Sequence, residues 1–203
     1  MKGYYFITDE GLSAAGVMSD VRQAVTAGAQ IIQYRNKTAD TRRQYEEARE
    51  IRGICAETRS KLIINDRIDI ALAVGADGAH IGNEDLPYAE ARRLLGRDAI
   101  IGVTVHDVEE AVAAEKAGAD YLGVSPVFAT GTKSDAGAPC GVETLTAIRR
   151  ACRVPVVAIG GIDLLNADEC IAAGADMVCA ISAVVTRPDV FAEIIKFQRK
   201  YGL

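Results

Sequence analysis

Short apolar runs rich in β-branched residues recur along the chain at 4–8, 30–35, 62–66, 78–82, 100–105, 121–127, 155–160 and 177–184. They are almost continuously apolar rather than alternating, which is the pattern of strands buried on both faces. Segments of helical character follow them at 20–27, 41–58, 67–74, 86–95, 108–117, 142–151, 164–173 and 189–200. A strand and then a helix, repeated eight times, predicts a parallel sheet; eight units predict its closure into an α/β fold, a (β/α)8 TIM barrel. No composition break or Pro/Ser-rich linker divides the chain, so residues 1–203 are expected to form one compact barrel domain.

A weak internal repeat supports this reading. Ala27-Gly28-Ala29, Val74-Gly75-Ala76-Asp77, Ala117-Gly118-Ala119-Asp120 and Ala173-Gly174-Ala175-Asp176 each stand between a helix and the next even-numbered strand. A glycine there suits the left-handed residue that ends a helix, and small neighbours allow a tight turn. These motifs are read as turns on the face of the barrel that serves stability. The one long connection, 128–141, is rich in Gly, Thr, Ser and Ala. A structureless stretch of that length in a compact fold is expected to be a functional loop, here a lid over the barrel mouth.

Composition narrows the function classes. Among 203 residues, 49% are hydrophobic and 25% charged, which excludes wholesale disorder. The net charge of -5 argues against broad nucleic-acid or anionic-membrane binding. No apolar run approaches a membrane span, and no signal peptide is expected. Five cysteines without a CxxC pair fit free thiols in a reducing cytoplasm and suggest neither a metal nor a nucleophile. The sequence leaves a homo-oligomer open.

Candidate chemistry gathers at the C-terminal ends of the strands, where barrels of this kind keep their sites. Gln33, Arg35 and Lys37 share one face of strand 2 and, pointing inward, would crowd the mouth with cations that want an anion; a solvated loop start is the plainer alternative. Strand 3 ends in Asn65-Asp66, and strand 4 leads to Asp85. Two carboxylates on neighbouring strands suit a Mg²⁺ that also binds phosphate oxygens, though each could instead cap the helix after it. Gly160-Gly161 after strand 7 and Ile181-Ser182 in strand 8 lie where this fold usually holds phosphate. Thr130, Gly131, Thr132 and Lys133 make an anion clamp or a flexible polar loop. His80 and His106, both at strand ends, are read as hydrogen-bonded scaffold residues. No GxGxxG or P-loop is present.

Five of these motifs occur in order: Gln33-x-Arg35-x-Lys37, Ile64-Asn65-Asp66-Arg67, His80-x-Gly82-x-x-Asp85, Thr130-x-Thr132-Lys133 and Ala158-Ile159-Gly160-Gly161-Ile162. Together they resemble the thiamine-phosphate synthase family over nearly the whole chain. The resemblance implies a Mg²⁺-dependent transferase that joins a hydroxymethylpyrimidine diphosphate to a thiazole phosphate and releases pyrophosphate. It implies that Gln33, Arg35, Lys37, Asn65, Thr104 and Lys133 hold the pyrimidine diphosphate, with Arg35, Lys37 and Lys133 stabilising the leaving group. Asp66 and Asp85 would bind Mg²⁺; Thr130, Gly131, Thr132, Gly161, Ile181 and Ser182 would hold the thiazole phosphate. Asn83 stands where the family usually has Gln, and Thr104 where Ser is usual. A thiazole tautomerase, a non-catalytic thiamine-phosphate-binding barrel and another phosphosugar isomerase or epimerase are the alternatives. The retained cations and the Asn65-Asp66 pair favour the synthase.

Overall fold

A computed structural model describes residues 1–132 and 137–203. Eight strands, all parallel, close into a barrel in sequential order. The units run β1 Gly3–Ile7, α1 Val17–Thr26, β2 Ile31–Tyr34, α2 Thr41–Ala56, β3 Lys61–Asn65, α3 Ile68–Val74, β4 Gly78–Ile81 and α4 Tyr88–Leu95. They continue β5 Ile100–Val105, α5 Val108–Ala117, β6 Tyr121–Val124, α6 Gly141–Ala151, β7 Val156–Ile159, α7 Ala167–Ala172, β8 Met177–Cys179, α8 Ile181–Val185 and α9 Val190–Lys200. No helix among the described residues is long and apolar enough to cross a membrane.

Two strands end three or more residues before the apolar runs predict. β6 stops at Val124, before a cis Ser125–Pro126 bond. β8 stops at Cys179, and Ile181 and Ser182 sit not on the strand but in the first turn of the short helix α8. A short apolar run does not distinguish a strand from a buried helix turn, and here Val184 and Val185 bury the helix against the outer core.

Alternate residues of each strand face two different cores, which is why the runs read as unbroken apolar sequence. Tyr4, Phe6, Ile32, Leu62, Ile64 and Leu122 pack outward beneath the helices. Tyr5, Ile31, Ile63, Tyr121, Val157 and Met177 form a separate cluster inside the barrel. Space there is tight. Gly102 on β5 lies beside Tyr121 on β6, and a Cβ on Gly102 would fall 2.0 Å from the tyrosine ring. A Cβ on Gly123 would come within 2.9 Å of the His80 ring.

The repeated turns do close the bottom of the barrel. Gly28, Gly75, Gly118 and Gly174 all have left-handed φ values, between 63° and 101°. The aspartates that follow three of them bracket neighbouring strands. Asp77 accepts from the Leu62 amide at 3.0 Å, Asp120 from Ile101 at 2.7 Å and Asp176 from Val156 at 2.9 Å. Lys61, Arg92 and Arg149 respectively pair with these carboxylates.

This packing sets opposite expectations for two glycine substitutions. Gly102→Ala should destabilise the barrel by about 1–3 kcal/mol through overpacking against Tyr121. Gly53→Ala, exposed inside α2 with nothing near its would-be Cβ, should stabilise it by about 0.5–1 kcal/mol. Urea unfolding of the two variants checks both signs.

Candidate active site

The C-terminal ends of the strands surround a cavity of about 410 Å³. Gln33 on β2, and Arg35 and Lys37 in the loop that follows it, all line this cavity; Lys37, half exposed, keeps the loop character of the plainer alternative. Arg35 is anchored twice. Its backbone amide donates to the Thr8 hydroxyl at 2.9 Å, and that hydroxyl donates to the Arg35 carbonyl at 3.1 Å. Its guanidinium donates to Asp9 at 3.3 Å, with both side chains largely buried. A guanidinium has five N–H donors, so one contact with Asp9 leaves most of the fork for an anion. Thr8 and Asp9 were not among the predicted site residues; the acid directly following β1, beside the cationic end of β2, was the available signal.

Asp66 and Asp85 both line the cavity, and neither caps a helix. The residues at the starts of α3 and α4 are Arg67 and Pro87, with no side-chain cap bond at either. Asp66 instead accepts from the Lys37 ammonium at 2.5 Å. It is also the one non-glycine residue with a left-handed backbone among the described residues, at φ 61°. Such a conformation costs about 1–2 kcal/mol in an L-residue, less for Asp or Asn. Asp85 accepts from the Gly82 amide at 2.7 Å. Burial pushes its carboxyl above the usual carboxylate range, the Gly82 bond pulls it back, and the adjoining Asp66 carboxylate raises it again. Two carboxylates facing each other, one of them already bonded to a lysine, form a donor set that fits a hard cation completed by phosphate oxygens.

Across the cavity lie Thr130, Thr132, Gly160, Gly161, Ile181 and Ser182. The glycine pair is left-handed, with φ 96° and 64°. Its lack of side chains serves the neighbouring loop as well: a Cβ on Gly161 would sit 2.4 Å from the Ala129 carbonyl. The amides of Val127 and Phe128 bond to Ile159 and Gly160 there, at 2.8 and 3.0 Å. Ile181 and Ser182 line the cavity from the opening turn of α8, which has no side-chain cap. Gly131 has open space around it. Lys133 lies outside the described residues, as does the part of the predicted lid at 133–136.

Asn65 and Thr104 also line the cavity. Thr104 ends a buried polar chain that the predicted site lacked. The Gln33 amide donates to Tyr5 Oη at 2.8 Å, and Tyr5 Oη meets Tyr121 Oη at 2.7 Å. Tyr121 Oη meets His80 Nδ1 at 2.9 Å, and His80 Nε2 meets Thr104 Oγ1 at 2.8 Å. His80 is thus hydrogen-bonded as expected. His106 is held by Glu110, at 2.9 Å from Nδ1, and Asn83 also turns to Glu110. All five cysteines are free, and burial pushes the Cys179 thiol up, away from reactivity.

The chain is similar to known proteins over nearly its whole length. A family model described as thiamine monophosphate synthase matches residues 4–184. A thiamine-phosphate synthase of Methanosarcina barkeri is 51% identical, over 97% of this chain and 92% of its own. One from Chloroflexus aurantiacus is 49% identical, over 93% and 87%. The solved thiamine phosphate pyrophosphorylase of Pyrococcus furiosus is 40% identical with a TM-score of 0.90, covering 98% of this chain and 95% of that one.

Proposed function

The chain belongs to the thiamine monophosphate synthase family, and on that premise we propose how its cavity serves the family's transfer reaction. The chain is an enzyme of the transferase class, a thiamine-phosphate synthase. Its substrates are small phosphorylated molecules: 4-amino-2-methyl-5-hydroxymethylpyrimidine diphosphate and a thiazole phosphate. The products are thiamine phosphate and pyrophosphate. The observation that carries this reading is the meeting of two polar ends in one cavity. Arg35 and Lys37 stand with Asp66 and Asp85 at one end, and Gly161 and the opening turn of α8 stand at the other.

In this proposal Gln33, Asn65 and Thr104 orient the pyrimidine diphosphate, and Arg35 and Lys37 grip its diphosphate, with Lys133 as a third cation. Asp66 and Asp85 would hold Mg²⁺, which supplies positive charge against the diphosphate oxygens. The C–O bond to the diphosphate breaks with its electron pair leaving on oxygen, so negative charge grows where Arg35 and Lys37 already sit. Charge-assisted hydrogen bonds placed in advance lower the barrier because they need no reorganisation as the bond breaks. The electron-rich aminopyrimidine carries the developing cation, and the thiazole nitrogen closes the new C–N bond with its lone pair. No proton has to be removed from that nitrogen, so the step needs no general base. Thr130, Gly131, Thr132, Gly161, Ile181 and Ser182 would hold the thiazole phosphate, with backbone amides pointing at an anion.

The direct test is pyrophosphate release from the two substrates, with Mg²⁺ and after chelation. Release that requires both substrates and the metal is expected. Turnover of a thiazole alone, without metal, would indicate a tautomerase, and binding without release a non-catalytic barrel.

Two sets of variants sharpen it. Asp66→Asn keeps a residue that tolerates the left-handed backbone, so the fold should survive while kcat falls about a hundredfold or more; Asp85→Asn should behave alike. Circular dichroism and the release assay together separate loss of charge from loss of fold. Arg35→Ala should raise the KM for the pyrimidine diphosphate about 10- to 150-fold, matching about 1.5–3 kcal/mol for a charge-assisted bond. The KM for the thiazole phosphate should change little, and equal losses for both substrates would remove Arg35 from the diphosphate site.

A further inference from the structure

The buried chain Gln33–Tyr5–Tyr121–His80–Thr104 begins and ends at cavity-lining residues, and its two tyrosines lie beneath the cavity floor. We propose that this chain is a proton-ordered relay in which Tyr5, Tyr121 and His80 act as positioning residues. It fixes opposite polarities at its two ends: Gln33 offers its amide oxygen to the ligand and Thr104 its hydroxyl hydrogen. The proposal rests on the reading that the cavity takes an aminopyrimidine diphosphate. Such a ligand has an amine N–H to meet Gln33 and a ring nitrogen or diphosphate oxygen to meet Thr104.

Counting hydrogens gives the order. Each tyrosine hydroxyl has one hydrogen to give, and both tyrosines are 0% exposed, so neither has water to fall back on. Tyr5 accepts from Gln33 Nε2; its own hydrogen therefore goes to Tyr121. Tyr121 then gives its hydrogen to His80 Nδ1, which places the imidazole proton on Nε2. That proton goes to Thr104 Oγ1, and the Thr104 hydrogen remains for the cavity. With Gln33 Nε2 on Tyr5, the opposite order would leave the Tyr5 hydrogen buried without an acceptor. A consistent reversal requires turning the Gln33 amide and every later bond at once. The two ends therefore change together or not at all.

The surroundings keep the relay in place. Burial raises both phenols above their ordinary pKa, holding them protonated. The Tyr121 ring is stacked on His80 with centroids 5.5 Å apart, and Gly102 and Gly123 leave room for these two rings alone.

The first test needs no substitution in the relay. The chain has two histidines, so ¹⁵N spectra of histidine-labelled protein, with His106→Gln for assignment, report which nitrogen of His80 is protonated. The Nε2–H form is expected; the Nδ1–H form overturns the proposed order. The second test is a double-mutant cycle of Gln33→Ala and Thr104→Val, read as kcat/KM for the pyrimidine diphosphate. The double variant should depart from the product of the singles by about threefold or more. In a Tyr121→Phe background this coupling should vanish, because the ends are no longer linked. Thr104→Ser, which keeps the hydroxyl, should keep the unsubstituted activity, and combined with Gln33→Ala it should match Gln33→Ala alone. Coupling that persists in Tyr121→Phe runs through the ligand and overturns the relay while leaving the cavity assignment standing. Single variants with unchanged kcat/KM overturn the cavity assignment and the relay together.

Discussion

The interior volume of the closed barrel is the constraint on which the site depends. Inward positions from eight strands share one narrow cylinder, and whatever fills its lower part becomes the floor of the cavity above. Two large polar rings, Tyr121 and His80, enter that space only because Gly102 and Gly123 give it up. The apolar layer of Ile31, Ile63, Val157 and Met177 then surrounds hydroxyl and imidazole groups that bond to one another and to Gln33 and Thr104. A polar chain enclosed in this way is held more rigidly than one open to water, since each group that moves strands a partner. The floor can therefore orient a ligand without touching solvent.

The mouth is organised by charge. Arg35 and Lys37 are set in place by Asp9 and Asp66, at 3.3 and 2.5 Å. The Lys37–Asp66 pair contributes little stability, because Lys37 is half exposed. The effect of both pairs is to fix where two cations stand at the mouth of the cavity. The left-handed Asp66 backbone fits this picture, because strained residues cluster where the surrounding structure must hold a functional group in one direction.

Much of this was legible in the sequence, for reasons that can be traced. The eight strands stood out because both faces of each are buried, so the apolar runs were unbroken; α5 agrees with its expected bounds residue for residue. Gln33 was legible because alternation along a strand is rigid; Arg35 and Lys37 lie past Tyr34, off the sheet, and reach the cavity from the loop. The end of β8 was misread because Ile181–Val185 is apolar in either secondary structure, and only packing against the outer core decides for helix. Thr8 and Asp9 gave no periodic signal, since their meaning lies in a contact with Arg35 on the next strand. Tyr5 and Tyr121 were hidden as ordinary apolar residues: a tyrosine in a core run does not announce that its hydroxyl has a partner 116 residues away.

The same side chain serves two ends of the barrel, and its partners tell the roles apart. At the bottom, Asp77, Asp120 and Asp176 each accept a backbone amide from the neighbouring strand and pair with a lysine or arginine. Their charge is matched within the protein, so nothing further is needed from outside. At the top, Asp85 accepts one amide and then faces another carboxylate, whose lysine partner moderates it only from a distance. Burial and like charge both act against its ionised form, and the fold supplies no second cation beside it among the described residues. An arrangement of this kind raises the free energy of the empty site and lowers it when a cation comes to rest beside the carboxylates. The carboxylates at the bottom of the barrel are thus distinguished from those at its mouth by whether the chain balances them, a difference invisible in composition and read only from what each oxygen touches.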